Sequence, residues 1–441
     1  MTIAFLSGVR YTVRRAIWGR GPIASRPAPT QGHLHTRVIS EASELGTIEQ
    51  DWRALHQRSG DTVFQTYEWL ATWYRIVEPR LPIRLLTCWN DHQLVGLFPF
   101  SIQPINLGIL RVNRVRFACE YGVYGEYAPL VDPDFVESCA SIVAEYLADE
   151  LAAGRLDFCD FCNFRAESPV MSKFAEELEK RGLLVSRDAT FMPRISILPG
   201  ATWDDYMKGL RSSHRRELRR DMKALNRPDV TIEVIRDPAA AQSMFEHLIR
   251  LHTAAWKRRG AGGHFVTDRH FEKFLRTVTP LLLQQGGATV ASVTHNGKPV
   301  VVTLEFHSGR YRAAYITGRD LDNNLSTSSP GRTLFGVCIK DAIQRGFTEL
   351  DYLGGDQQYK MDLGGKMTYY GRLVARKQGA AGLPALIACR LLEARHTMYV
   401  KFYLHDVLPK FKKIFRVPKN PAPISSTRHY SSTASGGYQV S

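Results

Sequence analysis

Apolar positions along residues 34–377 follow two periods, and each period predicts one kind of element. Apolar residues three or four apart predict helices, and apolar residues at every second position predict strands. In the first half this pattern predicts, in order, a helix at 65–77, strands at 83–89 and 94–102, a helix at 135–151, a strand at 156–164 and a helix at 171–181.

The second half repeats that order of elements. The pattern predicts helices at 240–258 and 270–285, strands at 288–295, 299–307 and 311–318, a helix at 332–345, and strands at 349–353 and 369–377. Asn296-Gly297 predicts a hairpin, because both residues tolerate the positive φ of a type I′ turn. Pro280 is expected to kink or divide its helix. The repeat predicts two similar α/β domains joined near residues 183–205.

A basic helix is predicted between the two domains. Thr202 to Asp205 fit a capping box, which should start one helix over 203–226. Its narrow apolar stripe is surrounded by arginines, including Arg215 and Arg219. This surface is either a solvated face or a site for the phosphates of a substrate, a cofactor or a tRNA.

Positive charge is concentrated in three segments of the chain. The formal net charge is +15, from 58 Lys and Arg against 43 Asp and Glu. Residues 1–40, 208–227 and 401–441 each carry +6, so the rest of the chain is close to neutral. By composition, 1–33 is a disordered basic leader, with an organellar transit peptide as the alternative, and 417–441 is a disordered tail.

Composition narrows the class of protein further. No uncharged apolar run reaches the ~18–20 residues of a membrane-spanning helix. Seven cysteines are too few for a disulfide scaffold and favour a reducing compartment, so the expected location is the cytoplasm. Cys159 and Cys162 form a lone CxxC within an apolar strand, which favours a core role over metal or redox chemistry, and no metal site is expected.

Two loop segments contain candidate chemistry. Ser329, Pro330 and Gly331 precede a helix, and the N–H groups of Gly331, Arg332 and Thr333 would form an anion site there. The alternative is a capped helix that binds nothing. Residues 351–360 gather carboxylates, a phenol and an ammonium around two glycines after a strand, which is either an acid–base site or a plain polar loop.

These segments together resemble the GNAT superfamily. The arginine-rich helix, Ser-Pro-Gly followed by a helix ending in Arg-Gly, and Asp-Tyr-Leu-Gly-Gly-Asp-x-x-Tyr-Lys are similar to BioF2-like and CelD-like acetyltransferases, which are related to the FemAB peptidyltransferases. The resemblance covers most of residues 40–378. It implies two tandem GNAT-like α/β (α+β) domains, each a mixed, mostly antiparallel twisted sheet flanked by helices.

The resemblance also implies a reaction. GNAT domains transfer an acyl group from a donor, usually acetyl-CoA, to an amine, and the donor pyrophosphate binds a loop at a helix start. Here that role would fall on Ser329, Pro330, Gly331, Arg332 and Thr333, although the common Q/R-x-x-G-x-G/A loop is absent. No tightly bound cofactor is expected, since acyl-CoA is a cosubstrate.

Catalytic and substrate-binding residues follow from the same resemblance. Asp356 is the first candidate for orienting or deprotonating the acceptor amine, and Glu305 is the second. Tyr359 would protonate the leaving thiolate. Lys360, Arg215 and Arg219 would bind anionic groups of the substrate.

The domain limits expected from the sequence are as follows: a leader at 1–33, a GNAT-like domain at 34–190, an acyltransferase domain at 191–378 that includes the basic helix, a basic amphipathic helical segment at 379–416, and a tail at 417–441. Residues 383–416 are apolar and basic together. They would either pack on the second domain or lie on an anionic membrane at the inner face.

The leading hypothesis is an acetyl-CoA-dependent N-acyltransferase that acts on an amine-bearing small molecule or a cell-envelope or polysaccharide precursor. One alternative is a FemAB-like transferase that uses aminoacyl-tRNA. The other is a degenerate binding factor in exopolysaccharide biosynthesis.

Overall fold

The computed structural model describes residues 32–398, apart from 61, 78, 80, 81, 109, 120–124, 259–262, 324, 326–328 and 356. Residues 1–31 of the predicted leader, the predicted tail, and residues 399–416 lie outside the described residues. The described chain forms a single mixed sheet with helices on its faces.

Thirteen strands form the sheet. They are β1 (Leu34–Ile39), β2 (Ile83–Asn90), β3 (Gln93–Leu107), β4 (Leu110–Phe117), β5 (Leu130–Val131), β6 (Phe158–Arg165), β7 (Leu184–Ile197), β8 (Val230–Ile235), β9 (Ala288–His295), β10 (Lys298–Ser308), β11 (Tyr311–Arg319), β12 (Glu349–Gly354) and β13 (Lys366–Arg376).

Twelve helices accompany the strands in the described part of the chain. They are α1 (Glu49–Ser59), α2 (Tyr67–Ile76), α3 (Val136–Ala152), α4 (Pro169–Lys180), α5 (Trp203–Gly209), α6 (Ser212–Ala224), α7 (Pro238–Arg258), α8 (His264–Thr267), α9 (Arg269–Gln284), α10 (Pro330–Gln344), α11 (Gln358–Asp362) and α12 (Leu383–Met398).

The sheet has two similar halves with exchanged last strands. Its order is β1-β2-β3-β4-β6-β13-β7-β12-β11-β10-β9-β8, and β5 pairs with β3. Among the described strands, only the β4–β6 and β11–β12 pairs are parallel. The last strand of the first half, β7, pairs with β12, and the last strand of the second half, β13, pairs with β6. The predicted fold of two similar α/β halves with a mostly antiparallel mixed sheet is confirmed.

Residues 183–205, where the sequence predicts the junction between the two domains, contain the long strand β7 at the centre of the sheet. β7 and β13 form an antiparallel ladder from Leu184–Arg376 to Ser196–Lys366. The halves also share one apolar core. Trp69 of α2 is fully buried, and its ring centroid lies 4.9 Å from that of Phe274 on α9 and 5.1 Å from that of Phe306 on β10.

Two local predictions differ from the structure. The helix predicted at 203–226 is two helices, because Leu210 and Arg211 have extended backbones, with ψ values of 147° and 143°. Gly209 favours an end there, and the extended Leu210 buries its side chain. Of the predicted capping box, the Thr202 half is present, since Thr202 Oγ1 accepts from the Asp205 N–H at 3.1 Å. The Asp205 carboxylate accepts from the Thr202 hydroxyl at 2.7 Å. Pro280 lies inside α9 and does not divide it.

Candidate functional site

The two parallel strands of the second half separate after a short pairing. β11 and β12 pair only through Tyr311–Glu349, Arg312–Leu350 and Ala313–Asp351, although both strands continue further. Each strand keeps its other neighbour, β10 or β7, beyond that point. The sheet therefore opens between β11 and β12 toward their carboxyl ends.

A β-bulge lies beside this opening. Leu304 pairs with Ile316 and Glu305 pairs with Ala314, so Tyr315 is the extra residue of β11. The Tyr315 hydroxyl is buried and forms no hydrogen bond with the residues that the structure describes. Bulges are frequent next to active sites because they re-aim a side chain. The Tyr315 ring packs on Trp69 and Phe306, with centroids 5.5 Å and 5.0 Å away, so the bulge directs this side chain into the shared apolar core.

Asp351 fixes the closed end of the opening. One carboxylate oxygen accepts from Arg194 Nε at 2.9 Å and from the Tyr311 hydroxyl at 2.7 Å. The other accepts from the Leu353 N–H at 2.7 Å, and Leu353 has a positive φ of 57°. Burial and the Asp351 charge raise the pKa of Tyr311, so its phenol stays protonated and donates. Asp351 thereby joins β7, β11 and β12.

Helix α10 covers one face of the opening, with its N-terminus toward the carboxyl ends of β11 and β12. Phe335 in its second turn packs on Tyr352 of β12 at 5.3 Å between ring centroids. A Cβ placed on Gly331 would meet no atom within 4 Å, so the first turn has open space in front of it. A helix N-terminus with open space is a favourable place for an anion.

The structure modifies the anion site predicted at Ser329 to Thr333. The Thr333 N–H is not available, because it donates to the Ser329 carbonyl at 2.9 Å. The Arg332 guanidinium is held by two acidic side chains of α6, Glu217 at 2.8 Å and Asp221 at 2.8 Å. Pro330 starts the helix, so the N–H groups of Gly331 and Arg332 remain as candidate donors.

The corresponding helix start in the first half is already occupied by a side chain. Asp132 precedes a short 3-10 turn that leads into α3, and its carboxylate accepts from the Asp134 N–H at 3.4 Å. The same carboxylate pairs with Arg58 Nε at 3.4 Å. In the second half, by contrast, Ser329 makes no side-chain capping bond with described residues. Among the described residues, a carboxylate therefore caps the first-half helix start, and no such side-chain cap is present at the start of α10.

The candidates on residues 351–360 lie in different environments. Asp356 lies outside the described residues. Tyr359 stacks on Phe335, with centroids 5.7 Å apart and planes 20° apart, and is 41% exposed. Burial of the phenol on its packed side raises the pKa of Tyr359 to about 12, so the group is protonated at neutral pH. The Lys360 ammonium is buried and donates to the carbonyls of Tyr352 at 2.8 Å and Gly354 at 3.0 Å.

Glu305 lies in the layer between β10 and α10. It is buried in an ion pair with Arg312, which also donates to Asp341 at 2.7 Å. A cavity of about 10 Å³ adjoins Glu305, Arg312 and Asp351, which is room for about one water molecule. The structure therefore places this carboxylate in a buried charge network beneath the opening.

The basic surface of α6 flanks the start of α10. Leu218 of α6 packs closely on Gly336, where a Cβ would lie 2.9 Å from Leu218 Cδ1. Arg215 is half-buried and donates to the Met207 carbonyl at 3.4 Å, whereas Arg219 is exposed. The remaining arginines and the lysine of this surface, Arg216, Arg220 and Lys223, are exposed as well.

Sequence reasoning missed two contributors to the site, Arg194 and Tyr311. An arginine within the apolar run 191–197 was the one available signal for Arg194. All seven cysteines are buried and none forms a disulfide. The described residues contain no cluster of three His, Cys, Asp or Glu side chains placed to bind a metal, and no helix among them is long and apolar enough to cross a membrane.

Part of the second half is similar to a known protein family. Residues 212–361 match the family model of the acetyltransferase (GNAT) domain. The crystal structure of FemX has the same fold, with a TM-score of 0.53 and 11% identity over 77% of this chain and 96% of that one. The C-terminal domain of a putative lysylphosphatidylglycerol synthetase from Agrobacterium fabrum gives a TM-score of 0.46 and 12% identity, over 79% of this chain and 97% of that one. No curated protein matches the sequence.

Proposed function

We propose that this protein is an N-acyltransferase of the GNAT superfamily, which moves an acyl group, in the first instance acetyl, from acyl-CoA to an amine. The observation that carries the proposal is the opening between β11 and β12 beside the start of α10, where a Cβ on Gly331 would meet no atom within 4 Å. Such an opening accepts an extended thioester, and the helix start accepts its pyrophosphate.

The donor would bind along α10. Its pyrophosphate would accept hydrogen bonds from the N–H groups of Gly331 and Arg332, next to Ser329 and Pro330. Because Arg332 is held by Glu217 and Asp221, it supports the first turn rather than acting as an independent phosphate ligand. Thr333 is fully buried and would shape the turn from inside.

The reaction requires that the acceptor amine lose a proton and that the leaving CoA thiolate gain one. The acceptor amine attacks the thioester carbonyl carbon, the C–S bond breaks, and the amine nitrogen loses a proton as the CoA thiolate gains one. Tyr359, whose phenol is protonated at neutral pH, would donate to the thiolate. Asp356 remains the proposed group for orienting or deprotonating the amine.

The other sequence candidates receive supporting roles. Lys360 would hold the end of β12 through its two carbonyl contacts, and Glu305 would support β10 through Arg312. Arg219, and Arg215 beside it, would bind an anionic group of the acceptor. An acidic cell-envelope or polysaccharide precursor is an acceptor of that chemistry, and a CoA donor agrees with the cytoplasmic location expected from the sequence.

A second donor is favoured by the exposed arginines of α6. An aminoacyl-tRNA would place its phosphates on that surface, and RNA binding would then weaken steeply with salt. The remaining alternative, a binding factor without catalysis, predicts that Tyr359→Phe and Asp356→Ala leave biological function unchanged.

Isothermal titration with acetyl-CoA, CoA and desulfo-CoA tests the donor site. Gly331→Leu should weaken binding without unfolding the protein, since the new side chain enters open space. Gly46→Leu is the matched control, because Gly46 also has open space but lies in the first half. Absence of binding by the folded wild-type protein would exclude the CoA donor, and a matching titration with charged tRNA would then decide the second candidate.

A further inference from the structure

The outer face of α12 is an exposed apolar ridge. Leu383, Ile387 and Leu391 are spaced four residues apart, so they lie on one face of the helix. They are 50%, 50% and 46% exposed, respectively, and rank among the large apolar side chains that the described surface leaves open. A helix of a folded domain normally turns such positions toward the core.

The inner face of the same helix is already packed. Ala385, Ala388 and Cys389 are buried against a small apolar cluster on the sheet that includes Ile105 and Phe158. The ridge is therefore not a misplaced core face. It is a second apolar face, directed away from the sheet.

Ion pairs hold this helix firmly on the sheet. Arg372 of β13 donates to Glu393 of α12 at 3.0 Å and to both oxygens of the buried Asp160, at 2.8 Å and 3.0 Å. The neighbouring Arg390 also pairs with Glu393, at 3.2 Å, and its side chain is 76% exposed. These contacts keep the inner face of α12 on the sheet, so the ridge faces away from it.

A basic residue lies beside the ridge, and the sequence that follows α12 is rich in basic residues. Arg390 lies one residue before Leu391, on the exposed side of α12. Immediately after the helix, residues 399–416 contain five Lys and Arg, a single acid at Asp406, and five Phe and Tyr. Apolar and aromatic residues interleaved with basic residues are the composition that anionic lipid surfaces bind.

We propose that the ridge of α12 docks this protein on a membrane surface that contains anionic lipids. Leu383, Ile387 and Leu391 enter the boundary between headgroups and acyl chains, and the exposed Arg390 beside them lies over the phosphates. The basic composition of the sequence that follows the helix adds attraction to the anionic surface. A second copy of the chain fits less well. Three side chains bury far less than the ~1,200 Å² of a stable interface, and a two-fold contact would bring two basic segments together.

Sedimentation of the full-length protein with vesicles tests the proposal. We expect binding to vesicles of phosphatidylcholine with phosphatidylglycerol, and weaker binding to phosphatidylcholine alone. The triple variant Leu383→Ser/Ile387→Ser/Leu391→Ser should bind about tenfold more weakly, because three half-exposed apolar side chains no longer enter the lipid. Val266→Ser/Leu281→Ser is the control, since those residues are 56% and 40% exposed elsewhere and should leave binding unchanged.

A second variant keeps the test valid if the triple variant folds poorly. Lys410→Gln/Lys412→Gln/Lys413→Gln should reduce binding to the anionic vesicles and its salt dependence, with little effect on phosphatidylcholine alone. Equal binding by wild type and both variants, or no vesicle binding by the wild type, overturns the proposal. So does a dimer of the wild type that the triple variant dissociates, since the ridge would then be a contact between copies. Vesicle binding needs no acyl donor, so this result is independent of the proposed reaction.

Discussion

Arg194 on β7 donates to Asp351 on β12 at 2.9 Å, so an arginine of the first half holds a carboxylate of the second. The reverse contact is also present. Arg372 on β13 donates to Asp160 on β6 at 2.8 Å. Asp160 is the third residue of β6 and Asp351 is the third residue of β12. Each lies where the parallel pairing of its strand, with β4 or with β11, comes to an end. Each exchanged strand therefore fixes the parallel pair of the opposite half.

Tyr311→Phe should destabilise the protein. The substitution removes a hydrogen bond to the buried, charged Asp351, and such bonds contribute about 1.5–3 kcal/mol. Tyr370→Phe is the matched control, because the Tyr370 hydroxyl is equally buried and makes no hydrogen bond with described residues. Denaturant unfolding of both variants measures the difference. Equal losses would show that the Asp351 contact contributes nothing specific.

His307 should make the protein less stable in mild acid. Burial, followed by Arg312 and Arg345, lowers the pKa of His307 from 6.5 to about 3. Between those values the unfolded chain binds a proton that the folded chain does not, so stability falls as the pH falls below 6.5. The loss between pH 7.5 and pH 5.5 is about 1.4 kcal/mol from this group.

Comparison with His307→Gln isolates that contribution. The variant retains every other titrating group, so the difference between the two stability profiles belongs to His307. Denaturant melts at the two pH values should show a smaller change for the variant. Identical changes would mean that His307 has the same pKa in the folded and unfolded chains.

Tyr359→Phe should slow acyl transfer without weakening donor binding. Loss of a general acid typically costs about 10²–10⁴ in rate. The stacking of the ring on Phe335 is retained in the variant, so the fold and the donor site should be preserved. Single-turnover transfer rates, with titration of acetyl-CoA alongside, separate the two effects. An unchanged rate would remove Tyr359 from the chemistry.

Lys360→Met distinguishes support of β12 from substrate binding. The substitution leaves the carbonyls of Tyr352 and Gly354 without their charged donor and should cost about 1.5–3 kcal/mol of stability. Lys366→Met, at an exposed position near the start of β13, is the control. A raised KM with unchanged stability would instead assign Lys360 to the substrate.

Local patterns predicted most elements, because a helix or a hairpin is specified by residues close in sequence. Asn296 and Gly297 have φ values of 50° and 73°, as the predicted turn requires. The predicted helix 332–345 and strand 349–353 correspond to α10 and β12. The strand exchange could not be predicted, since the apolar alternation of β7 suits pairing with β6 as well as with β12.

The chemistry of individual side chains was less predictable than the elements. The residue types of Glu305 and Lys360 suit acid–base and anion-binding roles, which is all that the sequence shows of them. Their burial depends on partners at other positions, Arg312 for one and the carbonyls of β12 for the other. Asp351 is part of a predicted loop motif, yet its contacts with Arg194 and Tyr311 come from strands 157 and 40 residues away.

The exchange of β7 and β13 affects how this protein can fold during its synthesis on the ribosome. When residues 34–197 have emerged, β6 still has an open edge, because its partner β13 begins at Lys366. More than a third of the chain must therefore still be synthesised before β13 can pair with the open edge of β6. Open edges of this kind invite pairing with other chains. We expect ribosome-bound chains that end before residue 366 to bind holdase chaperones and to resist protease only after β13 has emerged.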